Sequence, residues 1–150
     1  MTPRERAGRV LLVEDSEGGA QLMRIAFSER LPDARLEIFA DGERALAALD
    51  AGNLSQWDLV LLDLRLPGVG GHEVLAAVRA SSDERVRRMP VVVLSHSEVV
   101  EDVLRSYELG ANSHIAKPHS LDALFEVVET VGRYWLNVVS LPNWLSGPGR

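Results

Sequence analysis

From one end of the chain to the other, short apolar runs alternate with longer stretches whose apolar residues recur at helical spacing. Residues 10–13, 36–39, 59–62 and 91–94 read as strands, and 113–116 as a weaker fifth. The wholly apolar runs at 10–13, 59–62 and 91–94 predict strands buried on both faces, as a parallel sheet covered by helices requires. A half-exposed antiparallel strand would alternate polar and apolar residues instead. Helices are predicted over 17–30, 43–51, 72–80, 99–109 and 121–137. Their ends carry start and stop signals: Asp41 and Ser120 as N-caps, Gly110 as a C-cap after the fourth, Pro32 after the first. Strand and helix repeat about five times, which predicts a doubly wound α/β fold with right-handed crossovers. Gly68, Gly70 and Gly71 lack the spacing and terminal Gly-Lys-Ser/Thr of a nucleotide-binding P-loop and read as a turn after the third strand.

Composition narrows the class without naming a function. The 150 residues are 46% hydrophobic and 25% charged, which suits one packed core in a single domain and leaves no room for a second, output domain. A net charge of −6 works against nucleic-acid or anionic-membrane binding, since both need a basic patch to neutralise phosphates. The run Arg85, Arg87 and Arg88 reads as a solvated loop. The absence of cysteine removes disulfides, thiolate catalysis and cysteine-ligated metals. No stretch approaches the roughly 18 apolar residues of a membrane span or resembles a secretory signal, so the expected location is the cytoplasm. Residues 1–7 and 146–150 are expected to be loose and without chemistry.

The informative residues are those at the ends of the apolar runs. Glu14 and Asp15 follow the first, Asp63 the third and Lys117 the fifth, while Ser95 ends the fourth. In an open parallel sheet, ligands bind beyond the carboxyl ends of the strands, where the strand order reverses. If strands one and three are neighbours there, three carboxylates converge, and like charges gathered in this way call for a cation. Mg²⁺ suits such a site, because it binds through one or two carboxylates and keeps positions for water and a phosphate oxygen. No histidine stands at a spacing that favours zinc. A lysine ammonium and a serine hydroxyl suit the oxygens of a phosphoryl group, and an aspartate can itself accept that group. Alone, each residue carries little, because acidic pairs and lysines are common on surfaces and a serine at a strand end often caps a helix. Their shared position after apolar strands gives them weight.

Glu14-Asp15, Asp63 within Leu61-Leu-Asp-Leu-Arg-Leu-Pro67, Ser95 within Val93-Leu-Ser-His-Ser97, and Lys117-Pro118 together resemble the receiver domain of bacterial two-component response regulators, the CheY-like family, over roughly residues 9–135. The resemblance implies a five-stranded parallel sheet in the order 2-1-3-4-5 with helices on both faces. It implies Asp63 as phosphoacceptor, Asp15 and Asp63 as direct Mg²⁺ ligands, Glu14 as a ligand through water, and the backbone carbonyl of Arg65 as the last protein ligand. Ser95 and Lys117 would hold the phosphoryl oxygens, and the Lys117-Pro118 bond is often cis in the family. The implied partner is a sensor histidine kinase. The protein would be a phosphorylated switch rather than an enzyme, signalling through its last helices and fifth strand.

The chain departs from the family's commonest pattern in three places. Glu14 stands where aspartate is frequent, and it keeps the charge. His114 stands where a tyrosine or phenylalanine swings inward, together with Ser95, on phosphorylation. A histidine there brings the prospect of pH sensitivity, against the plainer reading of a passive, partly exposed ring. Arg65 and His96 border the phosphoryl pocket and bear on the access of water, which leaves the phosphoryl lifetime open. His72 and His119 read as helix caps or decoration. Two other classes share part of this residue set. A haloacid-dehalogenase-type phosphatase would need an Asp-x-Asp pair after its first strand and a cap domain, whereas Asp63 is followed by Leu64 and Arg65. A receiver-like interaction module that no longer takes phosphate is the other, and the presence of all the acceptor-site residues argues against it.

In the last predicted helix, Leu121, Leu124, Phe125, Val128, Val131 and Trp135 form a core stripe, and Val127, Tyr134 and Val138 add apolar surface on a flank. This predicts a receiver domain over residues 8–137 and an extension over 138–150. The extension either folds back on the domain or offers a partner surface. Tyr134-Trp-Leu-Asn-Val-Val-Ser-Leu-Pro142 is similar to the ending of stand-alone receivers that serve phytochrome-type histidine kinases. That similarity implies a bacteriophytochrome partner, and the wide helix predicts a homodimer through the last helix and tail.

Overall fold

The computed structural model describes residues 8–142. Five parallel strands, β1 (Arg9–Val13), β2 (Arg35–Phe39), β3 (Leu59–Leu62), β4 (Val91–Ser95) and β5 (Ser113–Ala116), form one sheet in the order β2-β1-β3-β4-β5. The expected strands and order are all present. The order reverses between β1 and β3, the place where an open sheet forms a crevice. β3 and β4 are buried throughout and β1 at all but its first residue, while the edge strands β2 and β5 are half-exposed. Burial on both faces is the reason the central runs contain no polar residue until the strand ends.

Helices α1 (Glu17–Arg30) and α6 (Leu121–Arg133) cover one face, and α2 (Gly42–Asp50), α3 (Gly71–Arg79), α4 (Glu84–Arg87) and α5 (Val100–Glu108) the other. Alternate residues of each strand divide between the two cores: Val10 and Leu12 pack with Met23, Phe27 and Phe125, while Leu11 and Val13 pack with Leu75 and Val78. Asp41 caps α2 by accepting from the Arg44 amide at 2.8 Å, and Ser120 caps α6 through the Ala123 amide at 3.1 Å. Gly110 closes α5 with φ +101, a left-handed conformation that glycine adopts without strain.

Four expectations are corrected. Arg85, Arg87 and Arg88 belong to or follow the short helix α4, not a loop. Asp83 caps it, Glu84 pairs with Arg87 and Arg88, and Val86 and Met89 are buried beneath. Four residues are too few for an apolar period to show. The Lys117-Pro118 bond is trans, as are all peptide bonds among the described residues, in keeping with the trans preference that proline reduces but does not abolish. Leu121 is 48% exposed rather than in the core, because it opens α6 and the packing of that helix begins at Leu124. After Arg133 the last helix widens into a π turn over Tyr134–Val138. The wider turn sets back the rotation per residue, so Leu136 is buried beside Gly8 while Tyr134 and Val138 stay exposed. Leu141 is 1% exposed, so the chain folds back on its own domain at least that far. Residues 1–7 and the tail 143–150, with Trp144, lie outside the described residues. Among the described residues no helix is long and apolar enough to cross a membrane.

Candidate metal and phosphoryl site

The sheet ladder itself delivers the acids. Val13 pairs with Leu62 across β1 and β3, and the ladder runs one step further: the Asp63 amide donates to the Val13 carbonyl at 3.1 Å and the Glu14 amide to Phe39 at 3.0 Å. Glu14 and Asp63 therefore leave the sheet side by side. On the other flank the Lys117 amide donates to the Ser95 carbonyl at 2.8 Å, which fixes the start of the lysine side chain beside β4. Carboxylate oxygens of Glu14, Asp15 and Asp63 lie within 4.8 Å of one another. Lys117 Nζ sits 2.6 Å from Glu14 Oε2 and 3.7 Å from Asp63 Oδ2. Together with Arg65, His96 and His119 these residues line a cavity of about 430 Å³.

Glu14 and Asp63 are buried and Asp15 is exposed. Burial pushes the Glu14 carboxyl above the ordinary glutamate range, the Lys117 ammonium opposes the rise, and the Asp63 charge adds to it. Three hard oxygen donors crowded together, two of them beside the Lys117 ammonium, match what a hard divalent cation requires. The glycines after β3 serve packing and turning. Gly68 has φ +70. A Cβ at Gly71 would stand 2.3 Å from the Asp63 carbonyl oxygen and 2.8 Å from Leu64 Cα, so α3 can begin against the end of β3 only with glycine there.

Glu14, Asp15, Asp63 and Lys117 converge as the sequence predicts, and Arg65 and His96 border the cavity. The Arg65 amide donates to Asp63 Oδ1 at 3.0 Å, and its guanidinium reaches Asp102 Oδ2 at 3.0 Å. Ser95, in contrast, is fully buried at the end of β4, and its Oγ accepts from the Ser97 amide at 3.2 Å. His114 is half-buried on β5, with Nδ1 2.9 Å from Ser106 Oγ and Nε2 3.4 Å from the Ser97 carbonyl. His72 neither caps nor decorates: its Nε2 lies 3.1 Å from the same Ser106 Oγ, tying α3 to α5. Burial lowers its pKa. The Ser106 hydroxyl spends its only hydrogen on the Asp102 carbonyl at 2.9 Å. The hydroxyl thus joins three elements, α3 through His72, β5 through His114 and its own helix α5. His119 stacks on His96 with ring centroids 5.9 Å apart.

Sequence reasoning missed Ser97, Asp102 and Ser106. Ser97 had one signal, its spacing of two from Ser95. Nothing local marks the other two, whose partners Arg65, His72 and His114 lie far from them in sequence or on other elements.

The chain matches the family model of the response regulator receiver domain over residues 10–129. It is 41% identical over 143 residues to the probable methanogenesis regulatory protein FilR2 of Methanothrix harundinacea, covering 93% of this chain and 87% of that protein. It is 39% identical over 137 residues to the response regulator Rcp1 of Synechocystis, covering 89% of this chain and 92% of that protein. The crystal structure of the Mn²⁺-bound form of Rcp1 matches with a TM-score of 0.79 at 38% identity, over 90% of this chain and 99% of that one. That of the phosphorylated cyanobacterial phytochrome response regulator RcpA matches with a TM-score of 0.82 at 36% identity, over 91% and 99%. With its 2-1-3-4-5 parallel sheet and its acidic cluster at the β1–β3 crevice, this chain belongs to the response regulator receiver domain family.

Proposed function

We propose that Asp63 of this response regulator accepts a phosphoryl group from the phosphohistidine of a sensor histidine kinase. Glu14, Asp15, Asp63 and the backbone carbonyl of Arg65 would hold Mg²⁺ beside it. The observation that carries this reading is the gathering of three carboxylates within 4.8 Å, faced by the Lys117 ammonium, around an open cavity. In the transfer, an Asp63 carboxylate oxygen forms a bond to phosphorus while the N–P bond of the phosphohistidine breaks, its electron pair leaving with the imidazole. Mg²⁺ held there would supply charge neutralisation for the phosphoryl oxygens. Lys117, now shared between Glu14 and Asp63, is within reach of the same oxygens. The Ser95 Oγ accepts from Ser97 and keeps its own hydrogen to donate, but it must turn out of its buried position to do so. That turn is the proposed switch, with His114 as the neighbouring residue it consults through Ser97.

The protein's part in this chemistry is positioning and charge neutralisation of its own modification, so we class it as a regulator and not an enzyme. Similarity to Rcp1 and RcpA over nearly the whole of those chains supports a stand-alone regulator and a phytochrome-class histidine kinase as partner. That pairing supports a cytoplasmic location, where a histidine kinase finds its ATP. We assign the receiver core to 8–137 and the extension to 138–150. The exposed Tyr134 and Val138 of the π turn support a homodimer through the last helix and tail; a monomer by light scattering at all practical concentrations overturns that part.

The test of the acceptor is incubation with Mg²⁺ and acetyl phosphate, read by intact mass and a phosphate-affinity gel. The wild type is expected to gain one phosphoryl group, Asp63→Asn none, and Lys117→Met far less than wild type. A wild type that gains none would favour the inert interaction module, and steady hydrolysis of phosphate esters would favour the phosphatase.

A further inference from the structure

Asp102 lies outside the acidic cluster, in the first turn of α5, yet it joins the two loops that leave β3 and β4. One of its oxygens, Oδ2, accepts from Arg65 Nη2 at 3.0 Å and from Ser97 Oγ at 2.6 Å. Each donor also reaches back toward the cavity side. The Arg65 amide donates to Asp63 Oδ1 at 3.0 Å, and the Ser97 amide to Ser95 Oγ at 3.2 Å. A path of hydrogen bonds, carried through the side chains of Arg65 and Ser97, therefore runs from the Asp63 carboxylate by way of Asp102 to the Ser95 hydroxyl.

We infer that Asp102 is a positioning residue for phosphoryl transfer: a single carboxylate oxygen sets the β3–α3 and β4–α5 loops against each other and so fixes Ser95 relative to Asp63. The inference rests on Asp63 being the acceptor. The short bond from Ser97 is charge-assisted, the stronger kind, while the Arg65 guanidinium is 68% exposed and its bond is the weaker arm of the bracket. Its position suits the role in a second way. Of the nine residues of α5 only Ser106 is buried, and Val100, Leu104 and Tyr107 are exposed. A helix held by so little core responds readily to a change in the bonds at its first turn. Loosening the bracket leaves Glu14, Asp15, Asp63 and Lys117 where they are and removes the Ser97 anchor from which the Ser95 hydroxyl makes its turn toward the phosphoryl group. The same placement serves bond formation and bond cleavage at phosphorus, so both rates should fall together.

The experiment follows aspartyl-phosphate formation from acetyl phosphate, and its decay after donor removal, in wild type, Asp102→Asn, Ser97→Ala and the double variant. Mn²⁺ affinity and the urea midpoint are measured on each. Formation and decay should both slow by about 3- to 30-fold in Asp102→Asn, the span that single links in a coupled network command. Ser97→Ala should slow them similarly, and the double variant should be no slower than the worse single, since both cut one path. Mn²⁺ affinity should hold within about twofold, because neither residue is a ligand. Asp102→Glu should recover part of the loss. Wild-type rates in folded Asp102→Asn overturn the inference and leave the acceptor reading standing, as do additive effects or a loss that merely tracks the urea midpoint. A wild type that takes no phosphoryl group overturns the acceptor reading and this inference with it.

Discussion

Asp63→Asn is expected to make the metal-free protein more stable while removing most of what a divalent cation adds. With carboxylate oxygens of Glu14, Asp15 and Asp63 within 4.8 Å, each pair of full charges repels by about 3.5 kcal/mol at an effective dielectric of about 20. The Lys117 ammonium, 3.7 Å from Asp63 Oδ2, returns about 4.5 kcal/mol to Asp63 by the same arithmetic. Water screens the exposed Asp15, so its share is about half the full value. The balance leaves Asp63 with a net cost of about 1 kcal/mol without a cation, which asparagine escapes while its oxygen still accepts the Arg65 amide. A cation at a hundred times its Kd adds about 2.7 kcal/mol to the wild type. A variant that lacks one ligand gains much less. The assay is urea unfolding in EDTA and in saturating Mg²⁺, fitted with a common m-value. Asp63→Asn should lie above wild type in EDTA and below it in Mg²⁺. A variant less stable than wild type in EDTA, or a wild type that gains nothing from Mg²⁺, would refute the electrostatic reasoning.

Two further outcomes follow from packing and proton linkage. Gly71→Ala puts a methyl against the backbone of Asp63 and Leu64; it should cost about 1–3 kcal/mol in urea unfolding and slow phosphorylation as the Asp63 loop is displaced, whereas a neutral result on both would mean α3 can shift freely. Burial depresses the His72 pKa from 6.5, so the unfolded chain binds the proton more readily than the folded one. Stability from this group is complete above 6.5 and is lost as pH falls from there through the lower folded value; His72→Gln should flatten that slope, and identical slopes would show that His72 is not its source.

How far the sequence could be read depended on how local each cause was. Apolar runs bounded by turn residues placed β1, β3 and β4 to within a residue, because burial on both faces leaves no room for polar positions. Side-chain caps such as Asp41 and Ser120 act within three residues of themselves, and both were legible. Helix α4 was not, because four residues carry no period. The π turn after Arg133 was not either, since a change of pitch leaves no mark in composition, and it decides that Leu136 is buried. His72 reads as an ornament in one dimension and becomes a half-buried link only when α5 is laid beside α3.

The sequence by itself determined the alternation of strand and helix, and it set a carboxylate, a hydroxyl or an amine at the end of four of the five runs, because a chain that leaves a buried sheet must there become polar. Strand order then decided which of these ends meet. Pairing β1 with β3 continues the ladder to Glu14 and Asp63 and brings residues 49 apart in number into one cluster. Tertiary structure alone decided that Ser95 is fully buried at the end of β4, that one oxygen of Asp102 gathers two loops, and that the Ser106 hydroxyl meets two histidines from different elements. Hydrogen bonds between elements depend on distances of about 3 Å that no local pattern encodes.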